Sequence, residues 1–422
     1  MLDRTIAPTA GEIIFSGLTQ VNQHASAADI DIFWLNAGDQ PVVKIELVFE
    51  SGIWYESKKS VSWLTAKMLA EGTKNKSARQ VTEGFEKLGA FLEINPGFDD
   101  VSFTVYGLKR NFGQVVSLLN EIINEPTFPE QEFGILKSNR KDQIALNDNK
   151  SNLFASKKLR EAIYGASFAY GQALSTDDIE NIQLVDIKKY YAERLFHQPK
   201  IYLSGQVDEQ LLNSLESQLT FPPTQAFYGK EIKFQSVDRD IYVKKEGSMQ
   251  SSIRMAWLIP DKTRGDYFNY QISNSLLGGY FGSRLMKNIR EEKGYTYGIS
   301  SYPIHLKHSS FGMISADVVA EHTKDTFSEI KTEIDKLLNK SIPSEEIVVL
   351  TNYLSGSFLA SIGTPFHVME KFKKVQEVGL DASYYDRYFD ALRNIDEQTI
   401  KSSIEKHFNT ADAYTTIVGL NQ

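Results

Sequence analysis

The chain has 422 residues, 41% hydrophobic and 24% charged, with 46 Lys and Arg against 54 Asp and Glu for a net charge of −8. That length reads as two or three domains with a large core, and the balance excludes collagenous, low-complexity and wholly disordered chains. There is no general basic field to hold a polyanion, so no nucleic-acid partner is expected, and the absence of cysteine removes disulfides, thiolate nucleophiles and Cys-based metal sites.

The start, Met1 to Glu12, lacks an apolar h-region, and no window approaches the roughly 18 apolar residues of a membrane span. The expectation is a cytoplasmic protein with no membrane partner. Val43, Ile45, Leu47 and Phe49 alternate with mostly polar neighbours, the period-two pattern of a half-buried strand. Trp63 to Glu71 reads as helix. A second alternating run, Val101 to Tyr106, precedes a helical stretch from Asn111 to Asn124, where Phe112, Val115, Val116, Leu119 and Ile122 recur at three and four, and Pro126 and Pro129 mark its end. Strands and amphipathic helices alternate throughout, which makes this an α+β or α/β chain.

The second half repeats the first. Leu69-Ala-Glu-Gly72 faces Leu276-Leu-Gly-Gly279, Leu88-Gly89 faces Lys293-Gly294, Phe128-Pro129 faces Ile342-Pro343, and the strand end at Gly205 faces that at Gly419. Four matches in one order, at a nearly constant offset close to half the chain, predict a duplicated domain of about 200 residues. The expected boundaries are 1–220 for the first domain, a linker at 221–232 around Pro222 and Pro223, and 233–422 for the second.

Among the seven histidines (His24, His197, His305, His308, His322, His367 and His407), His305 and His308 with Glu321-His322 are the nearest thing to a ligand set. His305 and His308 fall in a polar stretch between two strands, Tyr297–Tyr302 and Phe311–Asp317, that reads as an exposed hairpin loop. His367-Val-Met-Glu370-Lys371 places a cation where a second histidine would be needed, and with Lys373 and Lys374 it reads as a solvated helix face. No nucleophile elbow, phosphate-binding loop or dinucleotide fingerprint occurs.

The strongest local signal is Leu276-Leu-Gly-Gly-Tyr280-Phe-Gly-Ser-Arg284-Leu-Met-Lys-Asn-Ile-Arg290-Glu-Glu-Lys-Gly294-Tyr-Thr-Tyr297-Gly-Ile. Phe281, Leu285, Met286 and Ile289 share a helix face, Gly294 is placed for a left-handed cap, and Tyr295, Tyr297 and Ile299 alternate along the following strand. Arg290 and Tyr297 then project from one end of the unit. Two readings fit them: a guanidinium and a phenol that donate to a peptide carbonyl or its oxyanion, or an arginine that complements a helix dipole beside a core tyrosine. Arg284 either pairs with an acid on the neighbouring domain or stays solvated.

This string resembles the second-domain signature of the insulinase/pitrilysin-like zinc peptidases, in their mitochondrial-processing-peptidase-like form, and the resemblance runs over nearly the whole chain. Phe168-Ala-Tyr170-Gly171-Gln and Asp177 to Ile182 also resemble a first-domain segment of that family. It implies two homologous α/β domains, each a roll with an antiparallel-rich sheet and flanking helices, forming half of a clam-like chamber. It also implies that Arg290 and Tyr297 serve substrate and transition-state binding.

The family's inverted zinc motif, His-x-x-Glu-His, stands just before a Met-Leu-x-x-Gly-Thr string, which Met68 to Thr73 matches here. Its positions become Trp63, Ala66 and Lys67, and no Glu occurs from Phe133 to Arg160, where the third ligand is sought. An indole and an ammonium do not ligate zinc, and alanine is no general base. Trp63 and Lys67 either fill the vacated pocket or drifted freely.

The resemblance therefore implies a non-catalytic, substrate-binding subunit that binds no metal or other cofactor itself and is inactive alone. Zinc would sit on a homologous partner chain in a heterodimer, with unfolded peptide as substrate. The alternatives are a catalytically inactive scaffold and a homo-oligomeric peptide-binding protein.

Overall fold

A computed structural model describes residues 13–26, 30–225 and 238–420. The first half builds a six-stranded sheet from β1 (Asn22–Ala25), β2 (Asp31–Asn36), β3 (Val42–Phe49), β4 (Phe91–Pro96), β5 (Val101–Leu108) and β6 (Lys200–Gly205), in the order β1-β2-β6-β3-β5-β4. The second half builds a five-stranded sheet from β7 (Asp240–Lys244), β8 (Gln250–Leu258), β9 (Thr296–Leu306), β10 (Ser309–Val319) and β11 (Tyr414–Gly419), in the order β7-β11-β8-β10-β9.

Leaving β1 aside, the two orders are the same. Each sheet has a single parallel pair, β2 with β6 and β7 with β11, and is otherwise antiparallel. The duplication read from turn residues is thus a duplication of topology. The start of the expected linker is pinned rather than loose: Phe221 packs on Phe49 and Phe196 at ring separations of 5.2 and 6.2 Å, and Gln225 donates its N–H to the Glu193 carbonyl. Residues 226–232 of that linker lie outside the described residues.

Local chemistry sets the helix limits. Ser77 and Gln80 form a reciprocal capping box at the start of the helix Ala78–Lys87, and Gly89, at φ +63°, turns the chain out of it. The helix Phe112–Asn124 buries Phe112, Val115, Val116, Leu119 and Ile122, the residues picked out by their spacing. Pro129 and Pro343 precede the equivalent long helices Glu130–Asn149 and Ser344–Ala360.

The strand β3 departs from the half-buried pattern expected of it, because Lys44 and Glu46 are only 4% and 6% exposed. The helix Pro365–Gln376, from the second half, lies across β6 and β2 of the first sheet. There Lys44 meets Glu46 at 3.1 Å and Glu370 at 3.2 Å, Glu46 is also bonded by Lys373, and Tyr202 donates to Gln376 Oε1 at 2.8 Å. Val368 and Met369 complete an apolar layer with Phe33, Leu35, Val48 and Tyr202. The segment around His367 is therefore an inter-half contact and not a solvated face. Spacing shows which side chains share a face; it does not show what covers that face.

The exchange is reciprocal. The helix Ser151–Tyr164, at the equivalent place in the first half, lies across β8 and β11 of the second sheet. It meets Arg254, which stands on β8 opposite Thr416 as Glu46 stands on β3 opposite Tyr202. Arg254 donates to Ser156 Oγ at 3.2 Å, to the Asn152 carbonyl at 3.3 Å and to Asp317 Oδ1 at 3.3 Å. An aromatic layer of Trp54, Tyr164, Tyr170 and Phe311 seals this side.

Burial works against charge on Glu46, Lys44 and Lys373, but the opposite partners prevail, so the Glu46 carboxyl is held below its ordinary value and both lysines are held above theirs. The carboxylate contributes stability that is complete above about pH 4.5, the unfolded value, and is lost as pH falls through its lower folded value. The lysine contributions are complete below about pH 10.5 and are lost as pH rises through their higher folded values. Glu46→Gln takes from Lys373 its carboxylate and from Lys44 one of two, and is expected to destabilise the protein by about 3 kcal/mol at pH 7. Urea unfolding reads this directly, and the difference from the parent should shrink in acid; a constant difference from pH 7 to pH 3 would show the charge to be irrelevant.

Candidate functional site

Two places bear on function, one in each half. In the first, the helix Val61–Met68 starts on the Glu56 carboxylate, which accepts the Ser60 and Ser62 N–H groups at 2.9 Å each. Ala66 is fully buried in the core. Trp63 and Lys67, one turn apart, share the outer side of the helix with Arg140 from the helix Glu130–Asn149.

The Arg140 guanidinium lies 4.4 Å from the Trp63 ring centre, the arrangement of a cation over an aromatic face. Lys67 Nζ donates to the Ile94 carbonyl at 2.6 Å, and Arg140 donates to Gln143 Oε1 at 2.8 Å. Burial, with the Arg140 charge second, pushes the Lys67 ammonium down from its ordinary value. Two cations, an indole and a methyl group provide neither the imidazoles nor the carboxylates that zinc takes, so these residues do not fit the family's metal ion.

Arg140 carries no motif, yet it lies in the 133–160 stretch where a third ligand was sought. That stretch holds seven Lys and Arg, so charge alone does not single out Arg140; its packing on Trp63 does.

Restoring the motif by Trp63→His, Ala66→Glu and Lys67→His is expected to leave zinc affinity low while Arg140 remains. Adding Arg140→Ala should raise affinity by about 100-fold, since a guanidinium about 10 Å from a divalent ion at an effective dielectric of about 20 repels it by roughly 3 kcal/mol. Competition against a chromogenic chelator measures both variants, and equal affinities would remove Arg140 from the explanation.

The second place lies in the other half. The helix Tyr267–Asn274 widens into a π-helical turn, Ser275–Gly279, where a Cβ on Gly278 would sit 2.7 Å from the Ser301 Cβ; glycine lets the turn lie against β9. Asn274 and Ser301 exchange hydrogen bonds across that contact. A second π-helical turn, Met286–Glu292, carries Arg290, and Gly294, at φ +69°, forms the expected left-handed cap.

Arg290 Nε donates to the Tyr297 carbonyl at 3.0 Å, and the guanidinium carbon lies 4.8 Å from the ring centre of Phe281, which is 61% exposed. The two residues singled out from the sequence are therefore brought together, by side chain to main chain. Tyr297 is 90% exposed and is not a core tyrosine.

The alternation expected for Tyr295, Tyr297 and Ile299 fails, because β9 bulges here. Ile299 stands opposite Ala316 and Thr296 opposite Val318, so two residues of β9 share one position of β10. Thr296 Oγ1 ties the bulge by donating to the Asp317 or Gly298 carbonyl, at 2.7 and 2.9 Å, and by accepting from the Gly298 N–H at 3.1 Å. The extra residue turns Tyr297 outward while Ile299 stays buried.

Arg284 forms a bidentate pair with Glu346, at 3.0 and 2.8 Å, and both are largely buried. Glu346 belongs to the same half, not to the neighbouring domain.

The histidines do not form an exposed loop. His305 lies on β9 and bonds the Tyr267 hydroxyl at 2.6 Å and Ser310 Oγ at 2.8 Å; burial lowers its pKa to about 4. His308 stacks on Trp54 of the first half at 4.3 Å. Among the described residues no group of three His, Asp or Glu is placed to hold a metal ion.

Two family models match the chain in tandem: the insulinase, or peptidase family M16, model over residues 33–176 and the peptidase M16 inactive domain model over 181–352. Among curated proteins the chain is similar to a non-peptidase homologue, YmxG, of Helicobacter pylori, 22% identical with 96% of each chain covered. It is also similar to an uncharacterized zinc protease of Rickettsia felis, 22% identical over 90% of this chain and 92% of that one. Among solved structures, a peptidase M16 inactive domain from Pseudomonas fluorescens superposes with a TM-score of 0.85 at 22% identity, covering 95% of this chain and 98% of that one.

Proposed function

The chain belongs to the insulinase, or M16, peptidase family, and from that premise we propose that it is the non-catalytic, substrate-binding subunit of a two-chain zinc peptidase. In this reading Arg290 and Tyr297 are presented to a zinc site carried by a homologous partner, and an unfolded peptide is held in the chamber between the chains. The observation that carries it is the contrast between the two places: cations fill the zinc-motif position, while the Tyr297 phenol, 90% exposed, stands free beside Arg290.

The chemistry follows from the donors. Hydrolysis of a peptide bond builds negative charge on the carbonyl oxygen, and the metal on the partner would activate the attacking water. Arg290 uses Nε to hold the Tyr297 main chain. Its terminal nitrogens bond no described residue, so a fork of N–H groups and a phenolic O–H remain to receive that oxygen. The bulge of β9 fixes where the phenol starts from.

An inactive scaffold is the second reading. It is supported by the Arg290–Tyr297 hydrogen bond, which alone gives the arginine a structural purpose. The two part in one experiment, in which the chain is mixed with a zinc-motif homologue and the turnover of a quenched, flexible peptide is followed. Arg290→Ala and Tyr297→Phe are each expected to lower turnover by about 100- to 1000-fold, the scale of losing one oxyanion donor. Unchanged turnover in both variants, or activity of the parent chain alone, would overturn the assignment; a mixture that is silent with the parent chain would favour the scaffold.

A further inference from the structure

The second half forms an open-mouthed cavity of about 280 Å³ between the helices Tyr267–Asn274, Ser344–Ala360, Pro365–Gln376 and Ser383–Asn394. It shares no residue with the Arg290–Tyr297 site. Its wall includes Tyr267, Tyr384, Tyr385 and Tyr388, all more than nine-tenths buried. Two of their hydroxyls are engaged: Tyr267 with His305 Nε2 at 2.6 Å, and Tyr385 with the Lys371 carbonyl at 2.8 Å. The hydroxyls of Tyr384 and Tyr388 make no hydrogen bond with any described residue and stay open to the solvent that fills the cavity, so a ligand can take them without breaking a bond inside the protein.

Three lysines, Lys262, Lys371 and Lys374, line the same cavity, and no Asp or Glu does. None of the three makes an ion pair among the described residues. Lys371 lies 5.1 Å from the ring centre of Phe358, and the one hydrogen bond of Lys262 reaches the Lys374 carbonyl at 3.4 Å. This differs from the inter-half contact, where Lys44 and Lys373 each have a carboxylate. Lys262 and Lys371 are pushed down from the ordinary lysine value by burial first and the charge of Lys374 second. Lys374 is exposed, so the cavity reaches solvent on its side.

We propose that this cavity is a binding site for a small organic anion, a carboxylate or phosphate carried on a flat, apolar body. Lysine donates only, and the two unpartnered hydroxyls are free to donate, so the lining holds more donors than acceptors and no anion; the nearest carboxylates, Glu377 and Glu370, act on Lys262 and Lys371 from outside it. Tyrosine rings supply a wall for a planar group. A cavity of about 150 Å³ accommodates benzene, which leaves room here for one ring and its anionic substituent.

The test titrates the full chain with phenyl phosphate, benzoate and the neutral analogue benzamide by calorimetry at low ionic strength. At least one anion is expected to bind with one-to-one stoichiometry, at least about tenfold more tightly than benzamide, and more weakly as salt is added. The tighter of the two anions identifies the head group. Tyr384→Phe with Tyr388→Phe keeps both rings and removes both free hydroxyls; Lys374→Gln removes an exposed cation without touching the core. Each variant should weaken the anion by about tenfold while its thermal unfolding stays near that of the parent.

The proposal is overturned if neither anion binds below about 10 mM, a free energy near −3 kcal/mol. Equal affinity for benzamide overturns it as well, as does binding unaffected in both variants. Because peptide turnover is not measured, failure here leaves the Arg290–Tyr297 reading standing, and the converse holds.

Discussion

The structure depends on a reciprocal exchange of helices. Each sheet has one face covered by its own helices and the other by a helix from the opposite half, Pro365–Gln376 on the first sheet and Ser151–Tyr164 on the second. At the centre of each crossing lies a charged side chain at an equivalent place in the sheet, Glu46 in one and Arg254 in the other. A buried charge tolerates its position only while its partners are present. Lys373 for Glu46, Glu370 for Lys44, and Ser156 and Asn152 for Arg254 therefore fix the register of the two halves as well as holding them together.

Much of this was readable in the sequence, because it rests on local chemistry. Glycine after helices, proline before them and the apolar spacing of Phe112 to Ile122 are one-dimensional signals, and their recurrence in the second half is a repeat of fold. The covering of β3 was not readable, since alternation gives a polar face without saying whether water or Lys373 meets it. His308 against Trp54 failed for the same reason: the partner is 254 residues distant in the chain and comes from the other half. At the candidate site, the proximity of Arg290 and Tyr297 followed from the Gly294 reversal. The outward turn of Tyr297 did not, because a bulge depends on the pairing of β9 with β10 and leaves no composition signal.

Duplication lets the two copies diverge in what their equivalent surfaces carry. On the proposed reading the first half keeps the helix that matches the family's metal motif; its outer side is given to Trp63, Lys67 and Arg140, groups that hold one another in place. A cation beside that position differs from a simple loss of ligands, because Arg140 would oppose a metal even where Trp63 and Lys67 gave way to ligands. The second half sets an exposed arginine and tyrosine on a frame of two π-helical turns and a bulge, irregular backbone that aims a side chain where regular structure would not.

The exchange also sets the order in which the chain can finish folding during synthesis. Lys44 bonds Glu370 across 326 residues of sequence, and Glu46 bonds Lys373 across 327. A ribosome adding about 5–20 residues per second leaves the first sheet with one face uncovered for tens of seconds. During that interval Phe33, Leu35, Val48 and Tyr202 are presented to whatever else is in the compartment. The early half of this molecule thus carries an uncovered apolar face until its own C-terminal helices are delivered.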